Sequence, residues 1–223
     1  MNKQEKEYIT ALRYPILTPF YDWLLKWTMR ESIFHKELCL QAQPRKACHI
    51  LDLGCGTGDL MVYIKKSYPD IKVFGLDGDA KVLEIAKTKA QKAKLEITLD
   101  LGMAYKLPYP NDSFDRVFSS LLFHHLTLEN KKLTIKEIIR VLKVGGELHV
   151  ADWGKAQNIV MRIAFLAVQL LDGFKTTKHN VNGLLPELFT AGGLEEVREM
   201  DRYKTIFGTF SFYKALKSKK EVQ

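Results

Sequence analysis

The densest chemistry in the 223-residue chain lies in one stretch, Ile50-Leu51-Asp52-Leu53-Gly54-Cys55-Gly56-Thr57-Gly58-Asp59-Leu60. An apolar run enters alternating glycines and leaves into a segment of helical period. Glycine admits positive φ and lets a ligand approach the backbone closely. The N-terminus of the following helix favours anionic groups. A dinucleotide fingerprint, G-x-G-x-x-G, would need glycine where Asp59 stands. Asp77 closes the next apolar run, Val73-Phe74-Gly75-Leu76-Asp77. A carboxylate about 20 positions on, at a strand end, accepts hydrogen bonds from ribose hydroxyls. Together these features fit a ligand with a ribose and no demand for pyrophosphate. Further along, His124-His125 offer an imidazole that titrates near neutrality, and Asp152 offers a carboxylate at a strand end. Each could serve as a general base, although a place in the core, against the cofactor or in solvent is the more ordinary reading of such residues.

Those residues need elements to position them. Short β-type runs alternate with segments of helical period, which argues for βαβ units and a parallel sheet. Strands are expected at 49–53, 71–76, 95–99, 114–121 and 147–151. Helices are expected at 59–68, 80–93 and 128–143, the last stopped by Gly145-Gly146. Beyond them, 158–174 reads as one long apolar helix and 184–190 as a short one. Strands near 195–203 and 207–214, turning at Gly208, make a hairpin, so one runs antiparallel to the rest. Residues 3–43 read as helical, broken at Pro15 and Pro19.

Composition bounds the class. Apolar residues make up 46% and charged residues 27%, enough for an ordinary core and against disorder. Lys and Arg number 34 against 26 Asp and Glu, a net +8 that permits contact with nucleic acid or anionic lipid. Cys39, Cys48 and Cys55 have no paired spacing, so neither a disulfide framework nor a metal site is expected. The apolar run at 159–171 contains Arg162 and falls short of the roughly 20 residues that span a bilayer. The N-terminal MNKQEKEYIT has no apolar signal core, so a reducing, cytoplasmic location is expected.

Three ordered segments carry a family resemblance. Asp52-Leu53-Gly54-Cys55-Gly56-Thr57-Gly58 resembles motif I of the class I S-adenosylmethionine (SAM) dependent methyltransferases. Leu107-Pro108-Tyr109-Pro110-Asn111-Asp112-Ser113-Phe114-Asp115-Arg116-Val117 resembles the family's LPFPDxSFDxV segment. Arg140-Val141-Leu142-Lys143-Val144-Gly145-Gly146-Glu147-Leu148 resembles its RVLKPGGxL segment. The subgroup it is most similar to is that of the ubiquinone and menaquinone biosynthesis methyltransferases, over roughly residues 48–152. The resemblance implies a Rossmann-like α/β fold: a seven-stranded, mostly parallel sheet with one antiparallel strand and helices on both faces. It implies SAM as cofactor and S-adenosylhomocysteine as product. Asp52, Gly54, Cys55 and Gly56 would take the methionine end, with Asp77 and Gly78 at the ribose. Met103 and Ala104 would lie at the adenine, Ser119 along the methionine portion, and Tyr21 in a closing cap. Met103 departs from the pattern. Relatives carry an aspartate there, and a thioether accepts a hydrogen bond only weakly.

The expected organisation is a helical cap at 1–47 on a SAM-binding domain at 48–223, with 153–193 as a substrate lid. The leading function is methyl transfer to a small, hydrophobic acceptor, with peripheral membrane contact compatible. The alternatives are an RNA methyltransferase, a SAM-binding module without catalysis, and a nicotinamide oxidoreductase. Scattered lysines without an aromatic–basic strip disfavour a nucleic-acid partner. Filter binding of transfer RNA should therefore show no micromolar affinity with the steep salt slope of phosphate contacts. Steeply salt-dependent binding with methylation of the RNA would reverse that reading.

Overall fold

The computed structural model describes residues 31–218. The expected cap residues Tyr14, Tyr21 and Trp23 lie outside the described residues. Seven strands make one sheet: β1 (His49–Leu53), β2 (Lys72–Asp77), β3 (Thr98–Leu101), β4 (Phe114–Ser120), β5 (Leu142–Trp153), β6 (Leu194–Lys204) and β7 (Thr209–Lys217). Their order is β3-β2-β1-β4-β5-β7-β6. The pairs from β3 through β5 are parallel, and β7 runs antiparallel to both β5 and β6. The chain steps outward from β1 to β3, then crosses back to β4 on the other side of β1. That reversal opens a crevice at the carboxyl ends of β1 and β4, where ligands bind in open α/β sheets.

Alternation along β1 feeds two cores. Ile50 faces a cluster with Phe34 and Leu38 of α1 (Glu31–Ala42), Ile64 of α2 (Asp59–Ser67), Ala86 of α3 (Ala80–Lys92), and Phe165 and Val168 of α5 (Ile159–Asp172). Leu51 and Leu53 face the other, with Ile135 and Ile138 of α4 (Leu128–Val141) and Leu185 and Phe189 of α7 (Leu185–Ala191). The sheet is thus buried on both faces, as parallel sheets require.

Local signals explain the boundaries. Asp79 caps α3 by accepting from the Lys81 amide at 2.8 Å. Thr127 caps α4 by accepting from the Asn130 amide at 3.2 Å, and Asn158 caps α5 by accepting from the Met161 amide at 2.8 Å. Three expectations are corrected. The third strand sits at Thr98–Leu101 rather than at 95–99. Helix α4 ends at Val141, and β5 already begins at Leu142. Gly145 and Gly146 belong to an irregularity inside β5, where the register with β4 jumps from Phe114–Leu142 to Arg116–Glu147. The long apolar helix ends at Asp172, and a separate α6 (Phe174–Val181) follows Gly173 at φ +97°.

One aromatic column joins α1, the hairpin and α5. Phe34 stacks on Phe210 at 4.4 Å, Phe210 meets Trp153 edge-on at 5.9 Å, and Trp153 meets Phe165 at 5.3 Å. Gln41 adds a polar tie from α1, donating to the Tyr213 carbonyl at 2.9 Å and meeting His149 Nδ1 at 2.9 Å. Phe210→Ala should cost about 3–5 kcal/mol, the range for removing a buried aromatic ring. Denaturant unfolding would measure it, and a loss well below 1 kcal/mol would mean the column is not a structural tie.

Candidate functional site

The loop after β1 is held by the neighbouring strand. The Gly54 and Cys55 amides donate to the Leu76 carbonyl at 2.8 and 3.1 Å. The Gly56 amide donates to Asp77 Oδ2 at 2.9 Å, and the Asp79 amide to Asp77 Oδ1 at 2.9 Å. Gly54 and Gly56 sit at φ +72° and +51°, in the region that side chains avoid. A Cβ on Gly54 would stand 2.9 Å from Leu122 Cδ1, whereas one on Gly56 would meet nothing within 4 Å. Gly56 therefore keeps open space beside the loop.

Two cavities flank that loop. The larger, about 340 Å3, is lined by Gly54, Gly56, Asp77, Gly78, Met103 and Ala104 among the expected residues, and by His125. The smaller, about 140 Å3, is lined by Asp52, Gly54, Cys55 and Gly56, and by His35 from α1. Gly54, Gly56, Ser120 and Leu121 border both. Of the expected cofactor residues, Ser119 stands apart: it is fully buried and its Oγ has no partner, while its neighbour Ser120 lines the cavities. Tyr21 lies outside the described residues. Among the described residues, Asp77 is the only carboxylate lining the larger cavity, so none of them replaces the acid missing at Met103. Asn130, which the sequence reading missed, brings an amide carbonyl acceptor to that lining.

Asp52 dominates the electrostatics. It is 1% exposed, and neither carboxylate oxygen has a hydrogen-bond partner among the described residues. Burial first, and the charge of Asp77 second, push its carboxyl up to about 8. A buried acceptor with no donor is costly. A ligand ammonium reaching the smaller cavity would satisfy it, as the methionine amino group of SAM carries. The residues present therefore fit that cofactor. The thiols of Cys39 and Cys55 are held protonated by burial, which leaves them no nucleophilic role.

The three candidate bases separate by position. His125 lines the larger cavity. Burial, then the charges of His124 and Lys131, hold its imidazole well below the usual value, so it is neutral at pH 7. His124 and Asp152 line neither cavity; they are buried and paired to each other, Nδ1 to Oδ1, at 2.7 Å. Asp172 and Lys131 join them from α5 and α4. Neither was expected, although a lone acid ending an apolar helix, just before a glycine, is a visible signal. His124, His125 and Asp172 also offer ligand atoms within 4.8 Å of one another, a set that spacing along the chain does not reveal.

The raised Asp52 carboxyl carries a stability consequence. A group whose folded value lies above its unfolded 3.8 adds stability that is complete below 3.8 and lost as pH rises through about 8. The free protein should weaken across that window, and Asp52→Asn should flatten the slope. The same variant should bind SAM about 10- to 100-fold more weakly, the worth of one charged hydrogen bond. Melting curves and calorimetry check both, and wild-type SAM affinity in the variant would remove Asp52 from the site.

Comparison with known proteins agrees with this geometry. A family model described as a methyltransferase domain matches residues 50–146. The chain is 30% identical over 187 residues to the demethylmenaquinone methyltransferase of Symbiobacterium thermophilum, covering 80% of this chain and 74% of that protein. It is 32% identical over 185 residues to the corresponding enzyme of Thermus thermophilus, covering 77% and 80%. A crystal structure of a SAM-dependent methyltransferase from Methanosarcina mazei superposes with a TM-score of 0.64 at 20% identity, covering 79% of this chain and 95% of that one. That last likeness speaks to the fold alone. By its identity to the demethylmenaquinone methyltransferases over most of both chains, the chain belongs to the class I SAM-dependent methyltransferases, within which it resembles the ubiquinone and menaquinone type.

Proposed function

We propose that this SAM-dependent methyltransferase methylates a small, hydrophobic ring acceptor of the quinol type. The observation that carries the reading is the alignment with demethylmenaquinone methyltransferases over most of both chains. The surface supports it. Ile159, Ile163, Leu166, Leu170 and Phe174 form an exposed apolar stripe along α5 and into α6. With the +8 charge, that stripe suits peripheral contact with an anionic membrane in which such an acceptor dissolves. Among the described residues, no helix is long and apolar enough to cross a membrane. A cytoplasmic site of action, reached from the membrane surface, follows from this reading.

SAM, when bound, supplies an electrophilic methyl group. The chain's residues do the rest. Asp52 would hold the ammonium, the space left by Gly56 would admit the methionine end, and Asp77 would take the ribose. Met103, Ala104 and Asn130, which line the larger cavity, would take the adenine. His125, neutral at pH 7, would accept the proton of the acceptor's hydroxyl and so raise electron density at the ring carbon that takes the methyl. That carbon's own hydrogen is then lost as a proton while the ring regains aromaticity and the hydroxyl is restored, with S-adenosylhomocysteine released. The 153–193 segment acts as a lid that excludes water.

The test is an assay with chemically reduced demethylmenaquinone and SAM, read by mass spectrometry of the quinone. The expected product is one methylene heavier. His125→Gln should lower kcat about 100-fold or more, in the range of a lost general base, with SAM affinity unchanged. Methylation of phospholipid or RNA but not of the quinol would overturn the acceptor.

A further inference from the structure

A buried charge cluster beside the His125 wall is unused by the reading above. His124 Nδ1 meets Asp152 Oδ1 at 2.7 Å, and the His124 amide donates to Asp152 Oδ2 at 3.3 Å. The Trp153 amide donates to Asp152 Oδ1 at 2.7 Å, so this carboxylate is fixed. On the other side of the ring, His124 Nε2 faces Asp172 Oδ2 at 3.7 Å, with both side chains under 5% exposed. That separation is too long for a hydrogen bond but well within charge contact at low dielectric. Asp172 is the last residue of α5, and Gly173 at φ +97° turns the chain into α6. The Thr176 and Thr177 hydroxyls donate back to the Gly173 carbonyl at 3.1 and 2.7 Å, which makes the elbow a built turn. A second strap lies alongside. Lys131 Nζ donates to the Leu126 carbonyl on the cavity rim and to the Thr176 carbonyl on α6, both at 2.7 Å. The His124 and His125 rings are 3.9 Å apart.

We propose that His124 is a positioning residue: clamped between Asp152 and Asp172, it latches the α5–α6 elbow onto the wall that carries His125 and keeps the acceptor side of the site assembled. The acceptor clause rests on the methyl-transfer reading; the latch itself is a property of the free protein. Two carboxylates facing the two ring nitrogens call for a proton on each. Burial opposes that charge, but Asp152 and then Asp172 outweigh it and carry the His124 value upward. The other groups around it are Asp172 itself, whose carboxyl burial raises, Lys131 from α4, whose ammonium burial lowers to about 8, His125 beside it, and His179 on α6, which burial and Lys131 hold low. A histidine raised in the fold gives stability that is complete below its unfolded value and lost as pH rises through the folded one. The latch therefore opens on the alkaline side. A divalent ion on His124, His125 and Asp172 would compete with the proton, and added zinc and chelator separate the two.

Hydrogen exchange over residues 166–180, from pH 6 to 9, tests this without reference to the acceptor. Wild-type protection of the elbow should fall as pH rises across this range, faster than intrinsic exchange explains. Asp172→Asn should lower its protection about tenfold or more at neutral pH, with no alkaline step, and Asp172→Glu should restore part of it. SAM affinity by calorimetry should stay within about threefold of wild type, while KM for reduced demethylmenaquinone rises more than kcat falls. Should Asp172→Asn not fold, His124→Gln keeps the hydrogen bond to Asp152, lacks the charge, and should show the same exchange pattern. Wild-type exchange in the variants overturns the latch. So does an elbow that loosens with chelator and tightens with added zinc, which would make the cluster a metal site. Failure of the wild type to methylate the quinol would instead strike the proposed acceptor and leave the latch standing.

Discussion

Below the glycine loop lies a carboxylate that the fold buries and does not pair. Every other feature of the site follows from that constraint. Asp52 is nearly inaccessible, both its oxygens lack partners, and Asp77 adds a second negative charge close by. A protein that kept this arrangement only for stability would do better with an apolar side chain. The arrangement makes sense as a counter-charge for a cationic ligand end. The left-handed glycines, the Leu76 carbonyl and Asp77 hold the loop beside that carboxylate.

The sheet order supplies the other half. Because the chain reverses between β3 and β4, the ends of β1 and β4 open onto one crevice. Ser120 and Leu121 thereby border the same space as Gly54 and Gly56, although far from them in sequence. The antiparallel β7 carries Phe210 into the column that braces α1 and α5. Helix α1 in turn brings His35 to the smaller cavity, where burial lowers its imidazole to about 4 and keeps it neutral.

The strands, the loop and Asp77 were legible because each rests on local chemistry: β-branched runs, glycines where φ is positive, and an acid at a strand end. Gly145-Gly146 misled for the same reason, since two glycines after a helical run resemble a stop. Only the register with β4 reveals them as an irregularity within β5. Helix α6 was missed because its FKTTKHNV sequence has no apolar stripe and forms only after the Gly173 turn. The expected catalytic trio likewise divides by long-range geometry. His125 reaches the cavity, while His124 and Asp152 pair beside Asp172, which arrives from a distant helix. No spacing rule along the chain encodes that meeting. The Tyr21 expectation falls outside the described residues.

The central claim is that Asp52 is an unpaired buried acid awaiting a ligand cation. The most direct measurement is the pH titration of its carboxyl carbon by 13C NMR, in the free protein and with saturating SAM. The account predicts a midpoint at about 8 in the free protein and a large fall on binding, because a salt-bridged carboxylate holds its charge. An ordinary carboxylate midpoint in the free protein, or one that SAM leaves unmoved, would contradict it.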